Sequence, residues 1–348
     1  MNGTVKRGRI TLPTPLLTAW GISLVLGGLG AWAPTAKAAE FEWRLAHYLP
    51  AEHFFAAGWL DAWARTIEKD SDGRIRITAR PNNELLRLGA IAPGVRDGTV
   101  EVGFGPVPEH VVFSLVGLPF VADSAQHGAR LLERLSTRGA IAAPLSGLHV
   151  VALFTNAPSV VHSKTKRVRV PRDLAGMRMR GATPNIRELL AALGATPVEG
   201  FLAPQVYGAL RDGQVDGTVF PYEAMGVFRL AEQLRHHTEV PLFVSGLGLF
   251  IDADALAALP PELREIVVRH SGPQASLTAA KAWDDEETRG RALARAQGNQ
   301  ILEPAARELR AWRRALEPFV AARIAALGPE AAAGWRLVQD AAAQTRRP

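Results

Sequence analysis

Arg178 and Arg180 close a short apolar run, Met177–Arg180, and a helix follows with Thr183 as its N-cap and Pro184 at its first position. A guanidinium fork beside the unpaired N–H groups of a helix N-terminus makes an anion site, because both present donors to the same oxygens. A second helix ends at Gly213 and a second strand begins at Asp216-Gly217. Arg178 and Arg180 share a face by the two-residue period of a strand. Spacing therefore leaves open which of them meets an anion, and an ordinary ion pair is the plainer role for either.

Other chemistry is sparse. Val244-Ser245-Gly246 lacks the first glycine of a nucleophile elbow, and Gly246-Leu247-Gly248 lacks the third glycine of a dinucleotide loop. No H-E-x-x-H pattern occurs, and the side chains of adjacent His236 and His237 should diverge, so neither metal nor cofactor is expected. Asp284, Asp285, Glu286 and Glu287 fall mid-helix and read as a solvated acidic face. The chain has no cysteine, which excludes disulfides, thiolate metal sites and a lipid anchor on an N-terminal cysteine. These features argue against an enzyme and leave the anion site as the main clue.

The elements that must hold it alternate. Glu42–Ala46, Arg74–Ala79, Val100–Gly105 and Val150–Phe154 read as strands. Phe54–Lys69 reads as an amphipathic helix, and Glu84–Asp97 as a helix broken at Pro93-Gly94. Such alternation predicts an α/β fold with mostly parallel sheets, whose ligands bind at strand carboxyl ends. The loops to watch are His47–His53, Gly105–Glu109, Asn156–Ser159, Arg180–Pro184 and Phe220–Glu223. Gln274 to about Gln297 reads as one long helix of about 36 Å, enough to cross two lobes.

Before these elements stands a basic segment with Lys6, Arg7 and Arg9, an apolar stretch Leu16–Ala33, and the A-x-A site Ala36-Lys37-Ala38. It reads as a signal peptide spanning 1–38, removed on export to the periplasm. Its four cations account for most of the formal charge of +6, leaving +2 on the 310 residues that follow. That modest, scattered charge gives no reason to expect nucleic acid as a partner.

Several separated motifs resemble the solute-binding subunit of TRAP (tripartite ATP-independent periplasmic) transporters, the dicarboxylate-binding-protein family. They are Asp173-Leu174-Ala175-Gly176-Met177-Arg178-Met179-Arg180, Leu193-Gly194-Ala195-Thr196-Pro197, Val206-Tyr207-Gly208-Ala209-Leu210, Gly213-Gln214-Val215-Asp216-Gly217, Gly117-Leu118-Pro119-Phe120 and Leu259-Pro260-Pro261-Glu262-Leu263. The likeness runs from about Phe41 to Val320. It implies a two-lobed, type II-like periplasmic solute-binding fold with a long helix crossing both lobes. Lobe I would comprise 39–155 with about 246–285, and lobe II 156–245 with about 286–348. It also implies that Arg180 binds a ligand carboxylate, that small and large membrane permease subunits receive the ligand, and that no reaction is catalysed. A monomer is expected.

Departures from the family pattern bear on the ligand. Asn83-Glu84-Leu85-Leu86 stands where G-Q-L-G is usual. Ala157-Pro158-Ser159, Pro106 and Phe220 replace polar residues of sugar-acid binders. Their hydroxyl-binding groups are lost, which points to an apolar or aromatic monocarboxylate. Candidate ligand contacts are Arg180 and Thr183 for the carboxylate. Phe220, Tyr222, Phe104 and Pro106 are candidate walls, and Tyr48, His47, Asn156 and Glu223 candidate polar contacts. Three other readings remain open. They are a chemoreceptor or sensor-kinase partner, a periplasmic enzyme using Glu223 or His162, and an interaction protein using the Ala/Arg-rich tail.

Overall fold

A computed structural model describes residues 38–346. The expected signal peptide lies outside the described residues, apart from Ala38. Two sheets organise the chain. The first is built from β1 (Phe41–His47), β2 (Ile75–Arg80), β3 (Val102–Pro106), β4 (Leu148–Thr155) and β10 (Gly246–Asp252). Its order is β2-β1-β3-β10-β4, parallel from β1 to β2 and β3, with β10 antiparallel to both its neighbours. The second holds β5 (Ser159–Ser163), β6 (Arg178–Arg180), β7 (Thr196–Val198), β8 (Gly217–Phe220), β9 (His236–Phe243) and β11 (Gln300–Leu302). Its order is β11-β9-β5-β8-β6-β7.

Each sheet is the floor of one lobe, with its own apolar core. The chain passes between them at residues 156–158 and 244–245, where Asn156 and Ser245 pair through their backbones and the Asn156 side chain accepts from the Ser245 N–H at 2.7 Å. The helix Pro273–Ala296 has 24 residues and packs against helices of both lobes. Helix Ala306–Ala326 buries Trp312 and Leu316 in the second lobe, whereas Ala331–Thr345 returns to the first and buries Val338 and Ala341 there. The division read from sequence had placed that last helix in lobe II.

Three local readings differ from expectation. Phe54–Leu60 is a π-helical segment that runs into the α-helix Asp61–Asp70, and His53 caps it. Between Glu84 and Asp97 only Leu88–Ala90 and Ile91–Arg96 are helical. Pro93 sits in the first turn of the second of these, where a missing N–H costs nothing, so it marks a start and not a break. Asn82 and Asn83 adopt φ of 56° and 60°. Asparagine tolerates this left-handed region, so Asn83 supplies the turn that glycine would otherwise make. Their N–H groups bond to the carbonyls of Leu49 and His47 and tie the loop to the end of β1.

The acidic run on the long helix is a solvated face only in part: Asp285 pairs with Lys281 at the surface, whereas Asp284 and Glu287 are taken up by backbone N–H groups. Asp284 accepts from the Ala125 and Gln126 N–H groups (2.8 and 3.1 Å), capping helix Ala125–Thr137 of the first lobe. One turn on, Glu287 accepts from the Tyr222 and Glu223 N–H groups, both at 2.9 Å, at the start of helix Glu223–Val227 in the second. Carboxylates are favoured at helix N-termini because unpaired N–H groups and the helix dipole both point at them. One helix thus anchors both lobes beside the crossing strands.

Candidate functional site

Arg180 ends β6, which lies between β8 and the edge strand β7 of the second sheet. Its side chain is 94% buried, with 6% of its surface exposed. Nε donates to the Phe201 carbonyl at 3.1 Å, and the guanidinium lies over the Phe220 ring, 4.7 Å from its centroid. No carboxylate pairs with it among the described residues, and burial lowers its pKa from 12.5 to about 10. Its two terminal nitrogens make no hydrogen bond among those residues, so the fork is open to an anion. Arg178 is spent: it is half exposed and bonded to Asp216 at 2.7 Å. The face the two arginines share does not set their roles; the presence of Asp216 beside one and not the other does.

Thr183 caps helix Pro184–Ala192, its hydroxyl accepting from the Ile186 N–H at 3.4 Å. Together with Pro106 it lines an interlobe groove of about 400 Å³, whose other walls include Val107, Ile186, Phe243 and Ser245. The groove is mostly apolar, and Arg180, Phe220 and Tyr48 are not among the residues that line it.

Lobe I contributes the residues after β1. Tyr48 stacks on Phe104, with ring centroids 6.0 Å apart. Phe104 itself is fully buried, touching Phe55 and Phe154, so it backs Tyr48 within the core. His47 is buried, and its Nδ1 has no partner among the described residues. Burial holds the Tyr48 phenol well above its ordinary range, with the nearby Glu223 adding to the shift.

Two other candidates sit elsewhere. Asn156 is occupied by the crossing contact to Ser245. Tyr222 is fully buried in the second lobe, its ring packed against His162 and His237 and covered by the Arg291 guanidinium at 4.7 Å. The strand ends at Phe220, and the turn through Pro221 into helix Glu223–Val227 carries Tyr222 into the core although it lies only two residues on.

Glu223 follows Tyr222 and is buried, with Oε2 unpartnered among the described residues. Burial, then the charges of Glu287 and Glu286, push its pKa up to about 8. His53 faces it from the first lobe, Nε2 to Oε2 at 3.9 Å. Burial lowers the His53 pKa to about 4. Phe54 and Trp283 pack around His53, with centroids 4.5 and 5.9 Å from it. Sequence reasoning singled out neither His53 nor Trp283. His53 closed a loop already marked by its place after a strand, whereas nothing local distinguishes Trp283 from a core residue.

Two α/β lobes, with a buried arginine that has no acidic partner among the described residues, fit the class of two-lobed solute-binding proteins. The chain belongs to the bacterial extracellular solute-binding proteins, family 7 (DctP), which it matches over residues 45–326. It is 25% identical over 273 residues to the C4-dicarboxylate-binding periplasmic protein DctP of Rhodobacter capsulatus, covering 72% of this chain and 77% of that one. A marine metagenome TRAP solute-binding protein specific for aromatic acid ligands, solved with metahydroxyphenylacetate, superposes with a TM-score of 0.79 at 26% identity. That match covers 88% of this chain and 100% of the other. A TRAP solute-binding protein of Rhodoferax ferrireducens T118, solved with copurified benzoate, has the same fold, with a TM-score of 0.75 at 24% identity over 87% of this chain and 98% of that one.

Proposed function

We propose that this chain is the exported solute-binding subunit of a TRAP transporter that captures an aromatic or apolar monocarboxylate. Arg180 holds the carboxylate through a two-pronged ion pair, and Phe220 and Tyr48 face the apolar body. The observation that carries this reading is the open guanidinium: it is buried, stacked on Phe220 and without an acidic partner among the described residues. A buried charge without a partner is costly, and a carboxylate ligand removes that cost as the lobes close around it.

One carboxylate is favoured over two. Glu286 and Glu287 help burial push Glu223 toward its neutral form, and the same charges oppose a second anion beside it. Apolar Pro106 and Phe220 offer nothing to sugar hydroxyls. The metagenome protein specific for aromatic acids supports the same class. In this reading the mature protein begins near Ala39, works in the periplasm as a monomer, passes its ligand to small and large permease subunits, and catalyses nothing. The crossings near Asn156 and Ser245 then act as the hinge, and the last helix, Ala331–Thr345, belongs with lobe I.

Titration calorimetry of the processed protein with benzoate, phenylacetate, succinate and a hexuronate tests this. The aromatic monocarboxylates should bind most tightly. A dicarboxylate or sugar acid that outcompetes every aromatic acid would sink the reading.

A further inference from the structure

Two buried polar groups face each other across the lobes, and a carboxylate on Arg180 uses neither. His53 Nδ1 accepts the Phe55 N–H at 3.2 Å, which leaves the proton of the neutral ring on Nε2. Nε2 stands 3.9 Å from Glu223 Oε2, too far for a hydrogen bond. Both side chains are buried, with 6% and 10% of their surface exposed, and Oε2 has no partner among the described residues. Trp283 Nε1, beside His53, is also buried and unpartnered. Native interiors seldom leave such groups unpaired, and a cluster of them beside a binding cleft marks a place that a ligand completes.

We propose that His53 Nε2 and Glu223 Oε2 form a hydroxyl subsite, which binds a phenolic hydroxyl of an aromatic acid whose carboxylate rests on Arg180. This deepens, and rests on, the reading of the cleft as an aromatic monocarboxylate site. An oxygen about 2.8 Å from each atom sits about 2 Å to one side of the line between them, within normal hydrogen-bond lengths. A hydroxyl both accepts from Nε2–H and donates to Oε2. An ammonium has no lone pair for Nε2–H, and a second carboxylate would bring its charge against Glu286 and Glu287, which already act on Glu223. Three residues separate Phe220, under the guanidinium, from Glu223, at most ~10 Å of chain. That is the scale of one substituted ring.

The test compares benzoate and phenylacetate with their monohydroxy isomers by calorimetry, on the processed protein and on two variants. Glu223→Leu removes the acceptor. His53→Asn removes Nε2–H but keeps an oxygen that can accept the Phe55 N–H. At least one hydroxy isomer should bind the unmodified protein about tenfold or more tightly than its parent acid, since a site built for a hydroxyl discriminates strongly against its absence. In both variants that preference should fall to within about twofold, with the parent acid little affected. The proposal is overturned if no isomer gains over its parent, as when a fixed water fills the gap, or if the gain survives either substitution. Parent acids that bind without any hydroxyl gain remove the subsite alone; failure of every aromatic acid to bind removes the monocarboxylate reading with it. Absence of any hydroxyl gain on the unmodified protein overturns the proposal by itself, and a gain that survives in either folded variant does the same.

Discussion

Replacing Arg180 with methionine should separate stability from binding. The native protein holds this guanidinium with its pKa lowered from 12.5 to about 10 by burial. A tenfold change in proton affinity is worth about 1.36 kcal/mol, so burial disfavours the charged form by about 3 kcal/mol. The arginine stays protonated at neutral pH, so the cost is present throughout the usual range and is relieved only above about pH 10. Against it stand the stack on Phe220 and the bond to the Phe201 carbonyl, about 1 kcal/mol each. Methionine keeps a long apolar side chain over Phe220 and removes the charge. Arg180→Met should therefore leave the ligand-free protein as stable as the original or about 1 kcal/mol more so. Binding should go the other way: losing one partner of a buried charge pair costs about 2–5 kcal/mol, a drop in affinity of at least about thirtyfold. Thermal unfolding of both proteins without ligand, then calorimetry with benzoate, measures the two effects. Destabilisation by more than about 2 kcal/mol would mean that Arg180 is a structural ion, in which case the reasoning fails. So would unchanged affinity for every carboxylate.

Arg178→Ala should leave carboxylate affinity unchanged in the same assay, because Arg178 is engaged by Asp216 at the surface. His162 and His237 meet through their Nδ1 atoms at 2.7 Å in the buried second lobe, an arrangement in which one ring donates and the other, neutral, accepts. The pKa of His237 is lowered to about 4 by burial, so as pH falls from 6.5 toward 4 the unfolded chain takes up the proton first and up to about 3 kcal/mol of stability is lost. Denaturant titrations across that range check it, and His237→Phe should flatten the slope. Glu223 behaves oppositely: its pKa is raised from 4.5 to about 8, so the folded protein holds a proton that the unfolded chain has released. Between pH 6.5 and 8 stability should fall with rising pH by about 2 kcal/mol, and Glu223→Gln should abolish its share of that fall, leaving the smaller part from Glu287 up to about pH 7. Gly290→Ala would bring a Cβ within 2.0 Å of the Tyr222 carbonyl oxygen, so the long helix must shift; a loss of about 1–3 kcal/mol is expected in thermal or chemical unfolding.

Residues near their partners in sequence were the ones that could be read directly. Thr183 and Pro184 open a helix because capping and a missing N–H act within one turn. The strand carrying Arg180 and the helix Pro273–Ala296 follow from short-range pattern. The acidic run misled because its partners, the N–H groups of residues 125–126 and 222–223, lie far away in sequence. Tyr222 misled for a related reason: its neighbours His162 and His237 are brought together only by the pairing of β5 with β8 and β9.

By itself the sequence determined the α/β alternation, the candidate anion site and the family, because these rest on local propensity and on motifs carried in order along the chain. Which arginine is free, which aromatic faces the cleft, and that His53 meets Glu223 were decided by tertiary structure. Each depends on which charge or ring arrives from a distant strand, and burial makes such an encounter decisive: away from water, a guanidinium with a carboxylate beside it is a structural ion pair, and one without keeps its fork open to another anion.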